Sequence, residues 1–157
     1  MSVPDAEPKN CFVDTNIWLY AFIEGDDPQK AVRAKALLET SRAIIVSTQV
    51  INEVCINLPK KAQFSEQQVQ QLIESFYAKY RVVELHTAHL LKALALREQY
   101  AFSFWDSLIV SGAWHAAAAV LYSEDMQDGL VVEKRMRIIN PFTQLPSTGA
   151  QSQSSSA

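Results

Sequence analysis

The chain has 157 residues, 48% of them hydrophobic, and a formal net charge of −3. This length and composition fit one domain with a continuous core, and the acidic balance excludes a nucleic-acid coat held by overall positive charge. A polyanionic ligand would need metal ions and a few placed cations.

The opening MSVPDAEPKN is polar with no apolar signal core, and no apolar run is long enough to span a bilayer. A flexible start over residues 1–10, a cytoplasmic location and no membrane partner are the expectations. The first strand is expected at 11–14, in CFVD, and a helix begins at Asn16. Asp27 and Pro28 then pair as N-cap and first-turn residue of an amphipathic helix with Ala31, Ala34, Leu37 and Leu38 on one face. Cys11 and Cys55 lie in apolar runs without metal-ligand spacing, so they read as buried free thiols of a reducing compartment.

A second strand is expected near 43–47. Thr48 caps the next helix, which turns Val50, Ile51, Val54 and Leu58 inward until Pro59 stops it. After a basic turn at Lys60 and Lys61, Ser65 and Gln68 have capping-box spacing ahead of Val69, Leu72, Ile73 and Phe76. A third strand near 81–85 precedes a helix from Thr87 whose buried stripe reads Leu90, Leu91, Leu94 and Ala95. Ser103 and Asp106 have capping-box spacing at the start of a further helix, and strands near 118–122 and 137–139 follow. Beyond Pro141 the chain turns polar, and 143–157 reads as a disordered Ser/Gln-rich tail. Short β-branched runs alternating with helical segments imply an α/β fold with a mainly parallel sheet of about five strands, in a domain spanning 11–142.

Asp14, Glu53, Asp106 and Asp125 each sit where a strand hands over to a helix, or on the first turns of that helix. Asp14 and Asp106 also suit helix N-termini as caps or dipole partners, and Asp125 and Asp128 in SEDMQDG suit a turn ending at Gly129. Glu53 is different, because it lies past the first helical turn where a cap has no use for it. Independent caps do not require all of these acids at the carboxyl edge of one sheet, where open α/β proteins bind ligands. Clustered carboxylates repel, and a hard divalent ion, Mg²⁺ or Mn²⁺, is the natural neutraliser. Such an ion turns an acidic pocket into one that accepts a phosphodiester.

In order and separation, Asp14-Thr-Asn, Glu53 on a helix, Trp105-Asp106, Ser123-Glu-Asp125-Met-Gln-Asp128 and the ending RIINPF resemble the PIN-domain ribonucleases, in particular the VapC-type toxins of toxin–antitoxin pairs. The resemblance covers about residues 10–142. It implies a three-layer α/β/α sandwich and a Mg²⁺- or Mn²⁺-dependent endoribonuclease that hydrolyses RNA phosphodiesters with metal-activated water. It also implies a homodimer and a cognate antitoxin that inserts into the active site. Asp14, Glu53, Asp106 and Asp125 match the family's catalytic, metal-holding quartet, and Thr15, Asn16 and Ser123 its supporting residues. Many relatives carry Asn at the place of Asp125 and an acid at that of Asp128, so both positions stay open for the fourth acid.

Two other readings compete. A haloacid-dehalogenase-type phosphatase also begins with an Asp after its first strand, but the second acid it needs is Asn16 here. A catalytically idle module binding RNA or protein has no reason to keep mutually repelling carboxylates. His86 and His89 share a helix face and His115 lies on an Ala- and Trp-rich helix, and all three read as capping, packed or edge residues rather than a metal centre. Lys60, Lys61, Arg33 and Lys35 are the candidate RNA contacts. Trp18, Tyr20, Phe22, Trp105 and Trp114 offer more aromatic surface than a small core absorbs, which points to interfaces.

Overall fold

The computed structural model describes residues 9–41 and 43–145. The flexible start expected over 1–10 and the tail expected over 143–157 lie outside that range but for their innermost residues. Strands β1 (Cys11–Val13), β2 (Ile44–Ser47), β3 (Arg81–Val83), β4 (Val120–Tyr122), β5 (Val131–Val132) and β6 (Met136–Ile139) form one sheet in the order β3-β2-β1-β4-β6-β5. All neighbouring pairs are parallel except β5 with β6. The helices are α1 (Thr15–Phe22), α2 (Pro28–Thr40), α3 (Thr48–Ala62), α4 (Glu66–Lys79), α5 (Thr87–Tyr100) and α6 (Phe104–His115).

The chain steps outward from β1 through β2 to β3, then returns to the other side of β1 as β4. Strand order therefore reverses between β1 and β4. Connections diverge there and open a crevice beyond the carboxyl ends of the strands, the usual ligand site of such sheets. Helices flank the sheet because the central strands are buried on both faces. The Phe12 ring approaches Gly112 of α6, and strand alternation sends Cys11 and Val13 to the opposite layer. Trp18 is 1% exposed and packs edge-on against Phe76 and Tyr80 at centroid distances of 4.9 and 5.1 Å. It is a core residue, not an interface residue.

Most starts are set locally. Asp27 accepts the Lys30 N–H at 3.1 Å with Pro28 behind it. Ser65 and Gln68 close both bonds of the capping box, at 3.2 and 2.8 Å. Other expectations are corrected. Ser47, not Thr48, is the N-cap of α3, accepting the Val50 N–H. Pro59 does not stop that helix, which continues to Ala62 and ends at Gln63 in the left-handed region. A proline one turn from a helix end removes a single backbone bond, and Lys60 and Lys61 form the last turn rather than a loop.

The buried face of α5 is also different from the expected stripe. His89, Ala93 and Leu96 are buried, while Leu90, Leu91 and Leu94 are 45%, 62% and 51% exposed and Ala95 is exposed. The helix docks on α6, and the Ser111 hydroxyl donates to the His89 carbonyl at 2.7 Å. Strand β5 went unanticipated because its hairpin to β6 turns through Glu133 and Lys134, both at positive φ, without the Asn-Gly or Asp-Gly signal such turns favour. Tertiary contacts hold the turn instead: the Glu133 N–H donates to the Tyr100 hydroxyl at 2.8 Å and its carboxylate pairs with Lys92. Among the described residues no helix is long and apolar enough to cross a membrane.

Candidate active site

Three consecutive residues at the end of β1 tie together two distant segments. Asp14 caps α1 and is 7% exposed; its Oδ1 accepts the Thr15 N–H at 2.7 Å and its Oδ2 the Ser123 hydroxyl, from the end of β4, at 2.9 Å. The Thr15 hydroxyl donates to Glu53 Oε2 on α3. Asn16 Nδ2 donates to Asp125 Oδ2, in the loop after β4, at 2.8 Å. The strand pairing explains the meeting: β1 lies between β2, which leads into α3, and β4, which leads into the 123–128 loop.

Burial pushes the Asp14 carboxyl up to about 6; its two hydrogen bonds pull the other way, and the charges of Glu53 and Asp125 push further up. Burial likewise raises Asp125, with the charges of Glu124 and Asp106 adding to the rise and Lys30 opposing it. Hydrogen bonds through Thr15 and Asn16 bring Glu53 and Asp125 beside Asp14, and Asp106 is close enough to Asp125 for its charge to be felt there. Asp106 sits on the first turn of α6, its N–H bonded to the Ser103 hydroxyl at 3.1 Å. Asp128 is engaged elsewhere, accepting the Asn140 N–H at 2.8 Å to close the turn before β5.

Whether these residues suit a cation can be tested on their neutralisation. Among the described residues no lysine or arginine pairs with Asp14, Glu53, Asp106 or Asp125. A buried carboxylate flanked by like charges and left without a counter-ion fits a hard divalent ion. Among the same residues no three acidic, histidine or cysteine side chains close on a single point.

Two supporting groups had little or no sequence signal. Gln49, one turn before Glu53, donates from Nε2 to Glu53 Oε1 at 3.2 Å and to the Trp105 carbonyl at 3.3 Å, bridging α3 and α6. Its spacing from Glu53 is the only hint. Lys30 on α2 bonds Glu124 at 3.1 Å and the Tyr20 hydroxyl at 3.3 Å, and Tyr20 donates to the same carboxylate at 3.0 Å. This network braces the loop that carries Asp125.

Of the candidate RNA contacts, Arg33 donates to the Pro141 carbonyl at 3.2 Å and Lys35 pairs with Glu24. Lys61 lines a polar cavity of about 380 Å³ with Asn16, Tyr20 and Asp27. The three histidines do gather, the His89 ring lying 5.8 Å from His86 and 4.5 Å from His115. His89 Nδ1 accepts the His86 N–H at 2.9 Å, a capping contact. Cys11 is buried and Cys55 half-buried, and both are free.

Comparison with known proteins adds the family. The family model of the PIN domain matches residues 11–127, more than half of the chain. The chain is similar in fold to VapC20 of Mycobacterium tuberculosis, described as a Sarcin-Ricin loop cleaving toxin, with TM-score 0.62 and 19% identity over 74% of this chain and 90% of that one. It is also similar to a toxin-antitoxin complex from Klebsiella pneumoniae, with TM-score 0.63 and 19% identity over 84% and 98% of the two chains. A DNA-bound VapBC from Salmonella typhimurium gives TM-score 0.57 and 18% identity over 83% and 96%. No curated protein matches the sequence.

Proposed function

The chain belongs to the PIN-domain family, and from that premise we propose that it is a divalent-metal-dependent endoribonuclease acting as the toxin of a toxin–antitoxin pair. The observation that carries this reading is the Asp14-Thr15-Asn16 hub, which draws Glu53, Ser123 and Asp125 to the crevice where strand order reverses. Asp14, Glu53, Asp106 and Asp125 are the residues that would hold Mg²⁺ or Mn²⁺. When bound, such an ion supplies an acidified water and stabilises oxygens that gain charge as a phosphodiester is cut.

The protein's own groups prepare the site. The Thr15 N–H and Ser123 hydroxyl each claim one Asp14 oxygen and fix the plane of the carboxylate. Both bonds favour its ionised form against burial, which is the form a cation needs. Thr15 and Gln49 hold the two Glu53 oxygens from opposite sides. Asn16 keeps Asp125 turned toward the crevice, and Lys30 neutralises Glu124 beside it. Family membership replaces the phosphatase alternative.

The partners follow from the same reading. The substrate is RNA, and the similar toxin-antitoxin complexes support a cognate antitoxin that masks the crevice. The exposed Leu90, Leu91 and Leu94 on α5 give a second copy an apolar face to cover. The deciding experiment incubates purified protein with total RNA and maps cleaved ends by sequencing. Discrete cuts are expected with Mg²⁺ or Mn²⁺, none with chelator, and none from Asp106→Asn with an unchanged melting temperature. Equal cutting by that variant would remove the assignment.

A further inference from the structure

Beside Glu53 lies a groove of about 520 Å³ whose wall is apolar, formed by Ile56, Leu85, Leu108 and Trp105, and whose rim carries Thr48 and Asn52. Trp105 is 64% exposed and Ile56 57%, whereas Trp18, in the core, is 1% exposed. Trp114 is accounted for by Lys92 and Arg135, which lie 4.1 and 4.3 Å from its ring. Trp105 has no cation over its ring among the described residues. Its neighbour Asp106 belongs to the acidic crevice, and its carbonyl is held by the Gln49 amide that also holds Glu53. The groove and the crevice therefore share Glu53 and Gln49. Gln49 is 8% exposed, and its Oε1 is buried without a hydrogen-bond partner.

We propose that this groove is the subsite for an unpaired nucleobase adjoining the scissile phosphodiester, with the Trp105 indole as its stacking platform. The proposal rests on the ribonuclease reading above. A phosphodiester seated at the acids must put its flanking bases somewhere within one nucleotide, and the groove begins at Glu53. Unpaired RNA bases are recognised by stacking on aromatic faces and by hydrogen bonds along their edges. An apolar wall with an indole face and the exposed Asn52 amide at the rim matches both needs. An aliphatic side chain from a protein partner would cover the Asn52 amide without satisfying it.

The subsite also gives the acidic protein an attraction for RNA that does not depend on net charge, since base–aromatic stacking is sequence-tolerant. It selects single-stranded over paired RNA, because a base in a duplex is already stacked. The polar rim then sets which base is preferred.

Two measurements on the full chain test this. In the first, indole fluorescence is followed with Ca²⁺ present while a mixed-sequence single-stranded RNA octamer, or an abasic ribose-phosphate octamer, is added. Quenching by the RNA but not by the abasic chain is expected, and its loss in Trp105→Phe assigns it to Trp105. In the second, Mg²⁺-dependent kcat/KM is measured on an RNA with a mapped cut site and on copies with one abasic nucleotide beside the cut. Trp105→Leu should lower kcat/KM roughly five- to 150-fold, the range expected for one stacked base, and Trp105→Phe less. One abasic position should cost the parent the same factor and cost Trp105→Leu nothing further, which a merely structural residue would not produce.

Equal quenching by the abasic chain overturns the proposal, as does parental kcat/KM in Trp105→Leu. Unchanged RNA kinetics in Trp105→Leu with loss of self-association or of antitoxin binding assigns the groove to a protein and also overturns it. If the parent cuts no RNA with any divalent ion while base-dependent quenching persists, the ribonuclease reading fails and the base subsite stands.

Discussion

Replacing Asp14 by Asn separates the carboxylate's service to the metal from its cost to the fold. Asp14 is 7% exposed and its carboxyl is pushed up to about 6 from an ordinary 3.8. A folded-state value above the unfolded one means that the folded protein holds its proton longer. Stability from the protonated form is thus complete below pH ~4 and is lost as pH rises to about 6, after which the loss is constant. The difference between 3.8 and about 6 corresponds to about 3 kcal/mol. Asn keeps the cap, since its Oδ1 can accept the Thr15 N–H and its amide can donate to Ser123 Oγ, and it carries no charge.

In chelator, Asp14→Asn should therefore melt higher than the parent at pH 8, by up to about 6–12 °C for a chain of this size, and near the parent at pH 4. The variant should cut no RNA. Mg²⁺ should raise the parent's melting temperature at pH 8 and leave the variant's unchanged, because a ligand stabilises only the state that binds it. Differential scanning calorimetry across pH, with and without Mg²⁺, measures all of this. A variant that melts lower than the parent at pH 8 would refute the reasoning and make Asp14 a stabilising cap.

Three further outcomes are expected. Asp125→Asn should cost more activity than Asp128→Asn, with part of the loss recovered in Mn²⁺, because Asp125 faces the crevice while Asp128 holds the Asn140 N–H; cleavage rates over a Mn²⁺ series decide, and a silent Asp125→Asn beside an inactive Asp128→Asn would reverse the roles. Ser123→Ala removes one of the two hydrogen bonds that favour the Asp14 carboxylate, so the pH below which Mg²⁺ ceases to raise the melting temperature should move up by about one unit; an unmoved midpoint would show that the hydroxyl does not tune the acid. Leu91→Lys with Leu94→Lys places two charges on the exposed face of α5 and should convert a dimer to a monomer by light scattering, with little change in melting temperature; a monomeric parent would end the dimer proposal.

Much of this protein is set by short-range chemistry that the sequence carries openly. The apolar runs at 11–13 and 44–47, the Asp27-Pro28 start and the Ser65–Gln68 box each act within a few residues, so pattern alone locates them. The order of Asp14, Glu53, Asp106 and Asp125 along the chain was equally legible, as was the family resemblance it supports. Tertiary structure decided what depends on partners far away. On α5, two apolar stripes compete at helical spacing, and the docking of α6 buries His89, Ala93 and Leu96 while leaving Leu90, Leu91 and Leu94 outside. The β5–β6 turn forms with two left-handed non-glycine residues because Tyr100 and Lys92 hold it. Neither the Thr15–Glu53 bond nor the engagement of Asp128 by Asn140 follows from local pattern. Periodicity fixes which residues are apolar and which can cap, but the faces that meet are chosen by the packing of whole elements, and that choice brings Glu53 and Asp125 to the Asp14-Thr15-Asn16 segment at the end of β1.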